Sequence, residues 1–475
     1  MSVSEPINHP NVPLKDTKPT YTWKTSVGDW FRHLWSKNFS DAAVENRLLS
    51  HLPFYPQSDG KRVAQIIDTD LGDGNLVHEF LVENIEQPDA ARSLSTTNTV
   101  KDIVLVHGYA ASLGLFLENF SDLSSIPGVR LHAIDLPGFG FSSRPKYPNF
   151  ARETKEDVFE NEDWFIDRLE QWRKKRGIER FVLIGHSFGG YLSCAYAMKY
   201  NTNLIDAATG VSQRMIEKLV LVSPVGVERH DKALTAPAPG KPMAGDDELP
   251  NPIEEVTRNQ EEIVHEDQVS HGTTVNSSRL GAANSSISSN EQDAEPQSAT
   301  KRLAESTSKT SNMLRWLWDH NCSPFSITRN IGPARSKMVS MWTSRRFSHV
   351  YFSDPTKFQS IHDYFYRVFN GAGSGEYAIT RVLVWGALAR LPLLDRCPQK
   401  FVKMGLPTLW LYGDNDWMDG KAGLEMTEEI NQLSRQQGKG TLAYYGLTPS
   451  AGHHLYLDNP KSFSKLIFDF LNVQK

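Results

Sequence analysis

Residues 185–189 read Gly185-His186-Ser187-Phe188-Gly189, directly after the apolar run Phe181-Val182-Leu183-Ile184. A G-x-S-x-G pattern leaving a strand puts its serine on a strand-to-helix turn too tight for side chains at the flanking positions. The Ser187 hydroxyl is thereby lifted clear of the sheet, where it can attack a carbonyl. The next residues, Gly190 to Met198, are rich in small side chains, as a helix packed closely on a sheet requires.

A serine hydroxyl is a poor nucleophile near neutral pH. It needs a base within hydrogen-bond reach, and the base needs an acid to fix its tautomer. After a nucleophile on such a turn, the partners follow in the order acid, then histidine. Two segments supply them: Gly413-Asp414-Asn415-Asp416-Trp417-Met418-Asp419, after the run Leu409 to Tyr412, and Ala451-Gly452-His453-His454-Leu455-Tyr456-Leu457-Asp458. Asp416, three residues past Gly413, has the spacing expected of a loop-borne acid. Asp414 and Asp419 compete for the role, and turn capping is the alternative use of an aspartate there. His453, next to Gly452, is preferred over His454 as the base. His107 and His186 are read as hydrogen-bonding groups of the loop and the elbow.

Attack on an acyl carbonyl also creates an oxyanion. The expected donors are the backbone N–H of Phe188, at the start of the elbow helix, and that of Tyr109, after His107-Gly108. The segment Asp135-Leu136-Pro137-Gly138-Phe139-Gly140 is read as a tight structural turn after a strand.

The elements that must hold these groups are legible as apolar runs. Residues 62–67 and 76–82 alternate around Asp73-Gly74-Asn75 as a hairpin does. Buried strands are expected at Ile103–Val106, Arg130–Ile134, Phe181–Ile184, Leu219–Val222, Thr408–Tyr412 and Thr441–Tyr445, with helical patterns between them, such as Asn161–Arg176. Alternating strand and helix implies a mostly parallel sheet with helices on both faces. The expected organisation is a flexible tail over 1–22, a Trp-rich segment over 23–52, core over 53–230, an insert over 231–312, a helical lid over 313–395, and core again over 396–475.

Two segments differ in kind from the core. In the first, Trp30, Phe31, Leu34 and Trp35 fall on one helical face, with Trp23, Lys24, Arg32 and Lys37 nearby. Tryptophan prefers the membrane–water boundary, so this face suits an interfacial anchor; packing of the rings on the core is the alternative. The second, 231–312, has no Phe, Trp or Tyr and carries 14 Asp and Glu against 7 Lys and Arg, a net charge of −7. It cannot bury enough apolar surface to offset its ordering entropy and is expected to be disordered.

The whole chain carries −5, so the rest sums to −5 − (−7) = +2. No basic field is left for nucleic acid. No Cys/His cluster has metal-ligand spacing, and neither a metal nor a cofactor is expected. Cys194, Cys322 and Cys397 are odd in number and far apart, which fits a reducing compartment better than a disulfide framework. No run approaches the ~18 apolar residues of a spanning helix. Neither an apolar secretory region nor a clear mitochondrial presequence is visible, so an intracellular, peripherally membrane-bound protein is expected.

Several motifs together resemble one subfamily of α/β-hydrolases. They are His107-Gly108-Tyr109, the stretch Asp135 to Pro145, Gly185 to Gly190, Ser374-Gly375-Glu376, and Gly452 to Asp458. More specific to that subfamily are the Trp-bearing segment running into Glu45-Asn46-Arg47-Leu48-Leu49, the Ser-Gly-Glu, and the His-x4-Asp spacing of His453 and Asp458. The subfamily groups animal lysophospholipases, a lipid-droplet lipase coactivator, and fungal cardiolipin-specific deacylases and lysophosphatidic acid acyltransferases. The resemblance implies an α/β-hydrolase fold with an inserted helical lid and a phospholipid substrate. It implies work at a membrane, lipid-droplet or mitochondrial surface, by serine-dependent deacylation. Acyl transfer to lysophosphatidic acid, with acyl-CoA as a possible partner, is the alternative use of the same site. His-x4-Asp is linked there with that transfer; the plainer reading makes His453 the base and has Asp458 open the last helix. A coactivator without catalysis is a further alternative, which the presence of Ser187 disfavours.

Overall fold

The computed structural model describes residues 20–86, 101–205, 212–236, 316, 318 and 320–473. Residues 1–19 of the expected tail and 237–312 of the expected insert lie outside them. The chain forms two compact units: residues to His51 with Ile327–Asn370, and Leu52–Ser326 with Gly371–Lys475.

The larger unit is built on one eight-stranded sheet. Its strands are β1 (Arg62–Gly72), β2 (Asn75–Asn84), β3 (Asp102–Val106), β4 (Arg130–Ile134), β5 (Phe181–His186), β6 (Ile216–Val222), β7 (Thr408–Gly413) and β8 (Ala443–Thr448). Their order is β1-β2-β4-β3-β5-β6-β7-β8. β1 and β2 form an antiparallel hairpin, β2 runs antiparallel to β4, and every pairing from β4 to β8 is parallel. The hairpin turns on Asp73 and Gly74, both at positive φ (53° and 73°), the primed turn that an Asp-Gly pair favours. β3 and β5 are buried at every position, which is why they read as unbroken apolar runs rather than alternating ones.

Helices Lys155–Lys175, Phe188–Tyr200, Leu393–Met404 and Gly420–Gln436 pack in a row against one another. A second group comprises Leu117–Leu123 and Pro460–Leu471. Lys155–Lys175 begins earlier than its apolar pattern because a capping box precedes it. Thr154 accepts from the Asp157 amide, while the Asp157 carboxylate accepts from Thr154. Residues 371–395, expected to be helical lid, belong to this unit and include a short antiparallel pair, Leu383–Val384 with Leu388–Ala389.

The smaller unit is helical: Trp23–Trp35, Asp41–Leu49, Arg335–Ser353 and Pro355–Asn370. Its aromatic packing centres on Trp342, whose ring lies 4.9 Å from those of both Phe365 and Phe369. Helix Trp23–Trp35 is inverted relative to a usual surface helix. It buries Ser26, Asp29 and His33, while Trp23, Phe31, Leu34 and Trp35 face solvent, Trp35 with 81% exposure. No helix among the described residues is long and apolar enough to cross a membrane.

Candidate catalytic site

Ser187 stands between β5 and helix Phe188–Tyr200 with φ 52° and ψ −118°, a conformation rarely adopted by a residue with a side chain. The turn is held by the Ser187 amide donating to the Val222 carbonyl at 2.9 Å. Gly189 is obligatory here, since a Cβ on it would lie 2.3 Å from the His107 carbonyl oxygen. The loop after β3 runs directly beside the nucleophile: a Cβ on Gly108 would stand 2.9 Å from that of Ser187. Tyr109 is the next residue of that loop. Phe188 is the first residue of its helix, so its N–H is one of those a helix start leaves without a carbonyl from a preceding turn.

The loop after β8 brings His453 to the serine, with Nε2 at 3.0 Å from Ser187 Oγ. The loop after β7 brings Asp416, whose Oδ1 lies 3.3 Å from His453 Nδ1. Three residues from distant parts of the chain thus converge at the carboxyl end of the parallel strands. The Asp416 side chain is 2% exposed. Burial alone raises a carboxyl pKa, but the bonds from His453, Ser223 and the Met418 amide outweigh it and hold Asp416 below the ordinary carboxylate range.

The competing residues have other tasks. Asp414 accepts from the amides of Ser450 (2.8 Å) and Ala451 (2.9 Å), pinning the loop that leads to His453. Asp419 caps helix Gly420–Gln436 through the Lys421 and Ala422 amides. His454 begins a short helical turn, its carbonyl accepting from the Leu457 and Asp458 amides. His186 Nε2 donates to the His453 carbonyl at 3.0 Å, which fixes the base from behind. His107 Nε2 accepts from the Leu136 amide at 3.0 Å, so its proton sits on Nδ1, toward the Gly108 carbonyl. Complete burial pushes its pKa down to about 4 and keeps the ring neutral.

Asp458 does not open the last helix; that helix starts at Pro460 and is capped by Asn459. The Asp458 carboxylate accepts from the Gly452 amide at 2.9 Å, bracing the residue before His453. The Asp135 turn has a scaffolding role. Its carboxylate takes the amides of Leu113 and Phe141, each at 2.7 Å, and Ser374 Oγ donates to the Pro145 carbonyl beyond it. Glu376 accepts from the Ser374 amide at 2.9 Å within the Ser-Gly-Glu segment, and Gly375 lies against that turn, its nitrogen 2.4 Å from where a Cβ on Gly138 would stand.

One residue of the site escaped the sequence reading. Ser223 donates from Oγ to Asp416 Oδ2 at 2.6 Å, and its oxygen lies 2.7 Å from His453 Nδ1, closer than Asp416 itself. It is fully buried and held at φ 45°. Its one signal in the sequence is position: it directly follows the strand run Leu219–Val222, at the strand end where α/β sites gather.

The fold and this constellation place the chain in the α/β-hydrolase fold family, which matches residues 102–460; the chain belongs to it. Among curated proteins it is 29% identical over 371 residues to the 1-acylglycerol-3-phosphate O-acyltransferase of Arabidopsis thaliana, covering 77% of this chain and 65% of that one. It is 27% identical over 403 residues to the 1-acylglycerol-3-phosphate O-acyltransferase ICT1 of Saccharomyces cerevisiae (78% and 81% covered). It is 24% identical over 402 residues to the human (lyso)-N-acylphosphatidylethanolamine lipase (82% and 86%). The chain spans about two thirds of its plant relatives, 66% of the rice protein and 65% of the Arabidopsis one. Among solved structures, the naproxen esterase of Bacillus subtilis aligns with a TM-score of 0.44 at 14% identity, over 92% of this chain and 99% of that one.

Proposed function

We propose that this protein is a serine-dependent phospholipid acyl hydrolase working at a membrane surface. The observation that carries the reading is the 3.0 Å contact of His453 Nε2 with Ser187 Oγ, backed by Asp416 and Ser223. Ser187 Oγ attacks the acyl carbonyl and His453 takes its proton. The amides of Tyr109 and Phe188 hold the oxyanion; in enzymes of this type one such donor lowers the barrier by about 2.7–4 kcal/mol. The tetrahedral intermediate collapses, the ester oxygen leaves with the proton from His453, and Ser187 stays acylated. Water, deprotonated by His453, then releases the fatty acid.

Relatives named as 1-acylglycerol-3-phosphate O-acyltransferases favour a second use of the same intermediate. There a lysophosphatidic acid hydroxyl replaces water at the acyl-enzyme, and acyl-CoA is a candidate acyl donor. Cardiolipin is a candidate substrate on the subfamily resemblance. The solvent-facing Trp23, Phe31, Leu34 and Trp35 support membrane docking, since a face of this kind is stable at a lipid interface. A non-catalytic coactivator has no need of an assembled nucleophile and base.

The test is mass spectrometry of products from mixed phospholipid vesicles, with cardiolipin included and lysophosphatidic acid plus acyl-CoA in a parallel arm. Free fatty acid with a matching lysolipid, or phosphatidic acid in the second arm, is expected from the native chain and not from Ser187→Ala. Equal products from both proteins refute the serine mechanism.

A further inference from the structure

The inverted helix Trp23–Trp35 buries charged and polar groups in the helical unit, and one of them is not accounted for. The His33 side chain is 1% exposed, yet neither of its ring nitrogens has a hydrogen-bond partner among the described residues. Its Nε2 faces two buried carboxylates, 3.7 Å from Asp29 Oδ2 and 3.8 Å from Asp363 Oδ1. The donor atoms of the three residues all lie within 4.8 Å of one another.

We propose that Asp29, His33 and Asp363 form a binding site for a divalent transition cation of the zinc type. A protonated His33 is the plain alternative, but a charged N–H···O bond closes to about 2.7–2.9 Å, and one Nε2–H serves one oxygen. The two separations from His33, 3.7 and 3.8 Å, instead approach the edges of a coordination tetrahedron. Ligands about 2.0–2.2 Å from an ion stand roughly 3.3–3.6 Å apart. Asp29 and His33 are four residues apart on one helix face, the spacing that lets two side chains share an ion. Asp363 comes from the distant helix Pro355–Asn370, which is why no sequence spacing announces the set.

The ligands are also oriented from outside, as metal ligands require. The Ser336 hydroxyl donates to Asp29 Oδ2, and His362 Nε2 lies 3.4 Å from the same oxygen. Gln359 donates to Asp363 Oδ1 at 2.8 Å and Arg47 to Oδ2 at 3.0 Å. The Tyr366 ring stacks on the His33 imidazole at 3.8 Å and fixes its plane. Two carboxylates and one imidazole suit zinc, or cobalt as its probe, and leave a fourth place for water. Such an ion would tie the aromatic helix to the rest of its unit, a role separate from the chemistry at Ser187.

The test uses the untagged full chain, freed of metal by chelator and titrated with Co2+. The expected result is about one cobalt per chain with visible ligand-field absorption, displaced by Zn2+. Affinity should fall at least 10-fold in His33→Gln and Asp29→Asn, given that outer-shell changes alone typically cost about 10–100-fold. Zinc should raise the unfolding temperature of the native chain but not of these variants. Labelling of Ser187 by a fluorophosphonate, unchanged throughout, reports that the body is folded. His33→Cys supplies a second reading, because a thiolate ligand adds a near-ultraviolet charge-transfer band to bound cobalt. Absence of stoichiometric uptake by the native chain overturns the proposal. So does uptake that is equal in His33→Gln, or a folded, cobalt-loaded His33→Cys without the new band; each marks an adventitious ion only.

Discussion

Replacing Ser223 by alanine removes one hydroxyl and nothing else, because alanine tolerates the φ of 45° no better than serine does. The hydroxyl makes two contacts: it donates to Asp416 at 2.6 Å, and its oxygen accepts from His453 Nδ1 at 2.7 Å. Without it His453 Nδ1 keeps only its 3.3 Å contact with Asp416. A hydrogen bond to a charged group contributes about 1.5–3 kcal/mol. Each ~1.4 kcal/mol lost from the transition state is tenfold in rate, so Ser223→Ala should slow acylation about 10- to 150-fold. Asp416→Asn should cost far more, since an amide that leaves the base in the wrong tautomer costs about 10^4 in other triads. The assay is the second-order rate of Ser187 labelling by a fluorophosphonate, with thermal unfolding as the control for folding. This needs no knowledge of the lipid. A Ser223→Ala rate within about twofold of the native chain refutes the bridging role. A rate as low as that of Asp416→Asn refutes the ranking, and makes Ser223 rather than Asp416 the group that orients the base.

Other outcomes follow from the same structure. Phe31→Ser with Trp35→Ser should weaken vesicle binding by about 30–150-fold, as partial burial of the two side chains gives roughly 2–3 kcal/mol; unchanged flotation with vesicles excludes this face as the dock. His132 is bonded through Nδ1 to Glu79 (2.7 Å) and through Nε2 to Asp102 (3.0 Å), so the ring must carry both protons. Burial lowers its pKa, but the two carboxylates outweigh burial and hold it above the ordinary histidine value. Its contribution to stability is therefore full below about pH 6.5 and is lost as pH rises through the raised folded value. Burial works against Glu79 and Asp102 as charged groups, but bonds from His132 and from Arg176 or Arg130 hold both below their ordinary values. Their contribution is present above about pH 4 and lost as pH falls through the lowered ones. Glu79→Gln should cost about 3–5 kcal/mol in urea unfolding at pH 6, with a smaller difference at alkaline pH; a pH-independent cost refutes the charged ring.

How much of this was legible follows from what each element depends on. The central strands could be read because a parallel sheet covered on both faces demands apolar runs; β3, β5 and β7 supply them as Ile103–Val106, Phe181–Ile184 and Leu409–Tyr412, while β4 and β6 were legible despite Arg130, His132, Glu217 and Lys218 within them. Ser187 stood out because it directly follows the β5 run within G-x-S-x-G; Asp416 and His453 stood out as an acid and a histidine on the loops after β7 and β8, in the order such a nucleophile requires. Ser223 obeys the same rule, but serine after a strand is too ordinary to stand out. Its role exists only once β6 and β7 are paired and the Ser223 amide meets the Leu411 carbonyl. The Asp458 carboxylate was misplaced because a short turn, Leu455–Asp458, interrupts the approach to the last helix. Helix Trp23–Trp35 was readable as a stripe of aromatics, with an outward interfacial face expected and packing on the core as the alternative; Phe31, Leu34 and Trp35 do face outward, but periodicity gives only the faces of a helix, and its partners decide which face is buried.

That orientation constrains what the helix is for. A helix stabilised by the apolar core of its own unit would bury Phe31, Leu34 and Trp35 and leave Asp29 and His33 in water. Here the polar face is inside, where Ser26 donates to the Pro333 carbonyl at 2.6 Å and accepts from the Lys337 amide at 2.8 Å. Polar contacts of this kind are directional and costly to leave unmade. They fix the rotation of the helix in a way that greasy contact alone does not. The exposed aromatics are thus held outward by the bonds on the opposite face. A membrane-docking surface that must stay presented in the unbound protein needs such a device, because the hydrophobic effect otherwise turns those rings inward. Under the proposed docking the buried polar cluster holds the aromatic face outward, so loss of the cluster, as in Asp29→Asn, should impair vesicle flotation although its residues lie inside the unit.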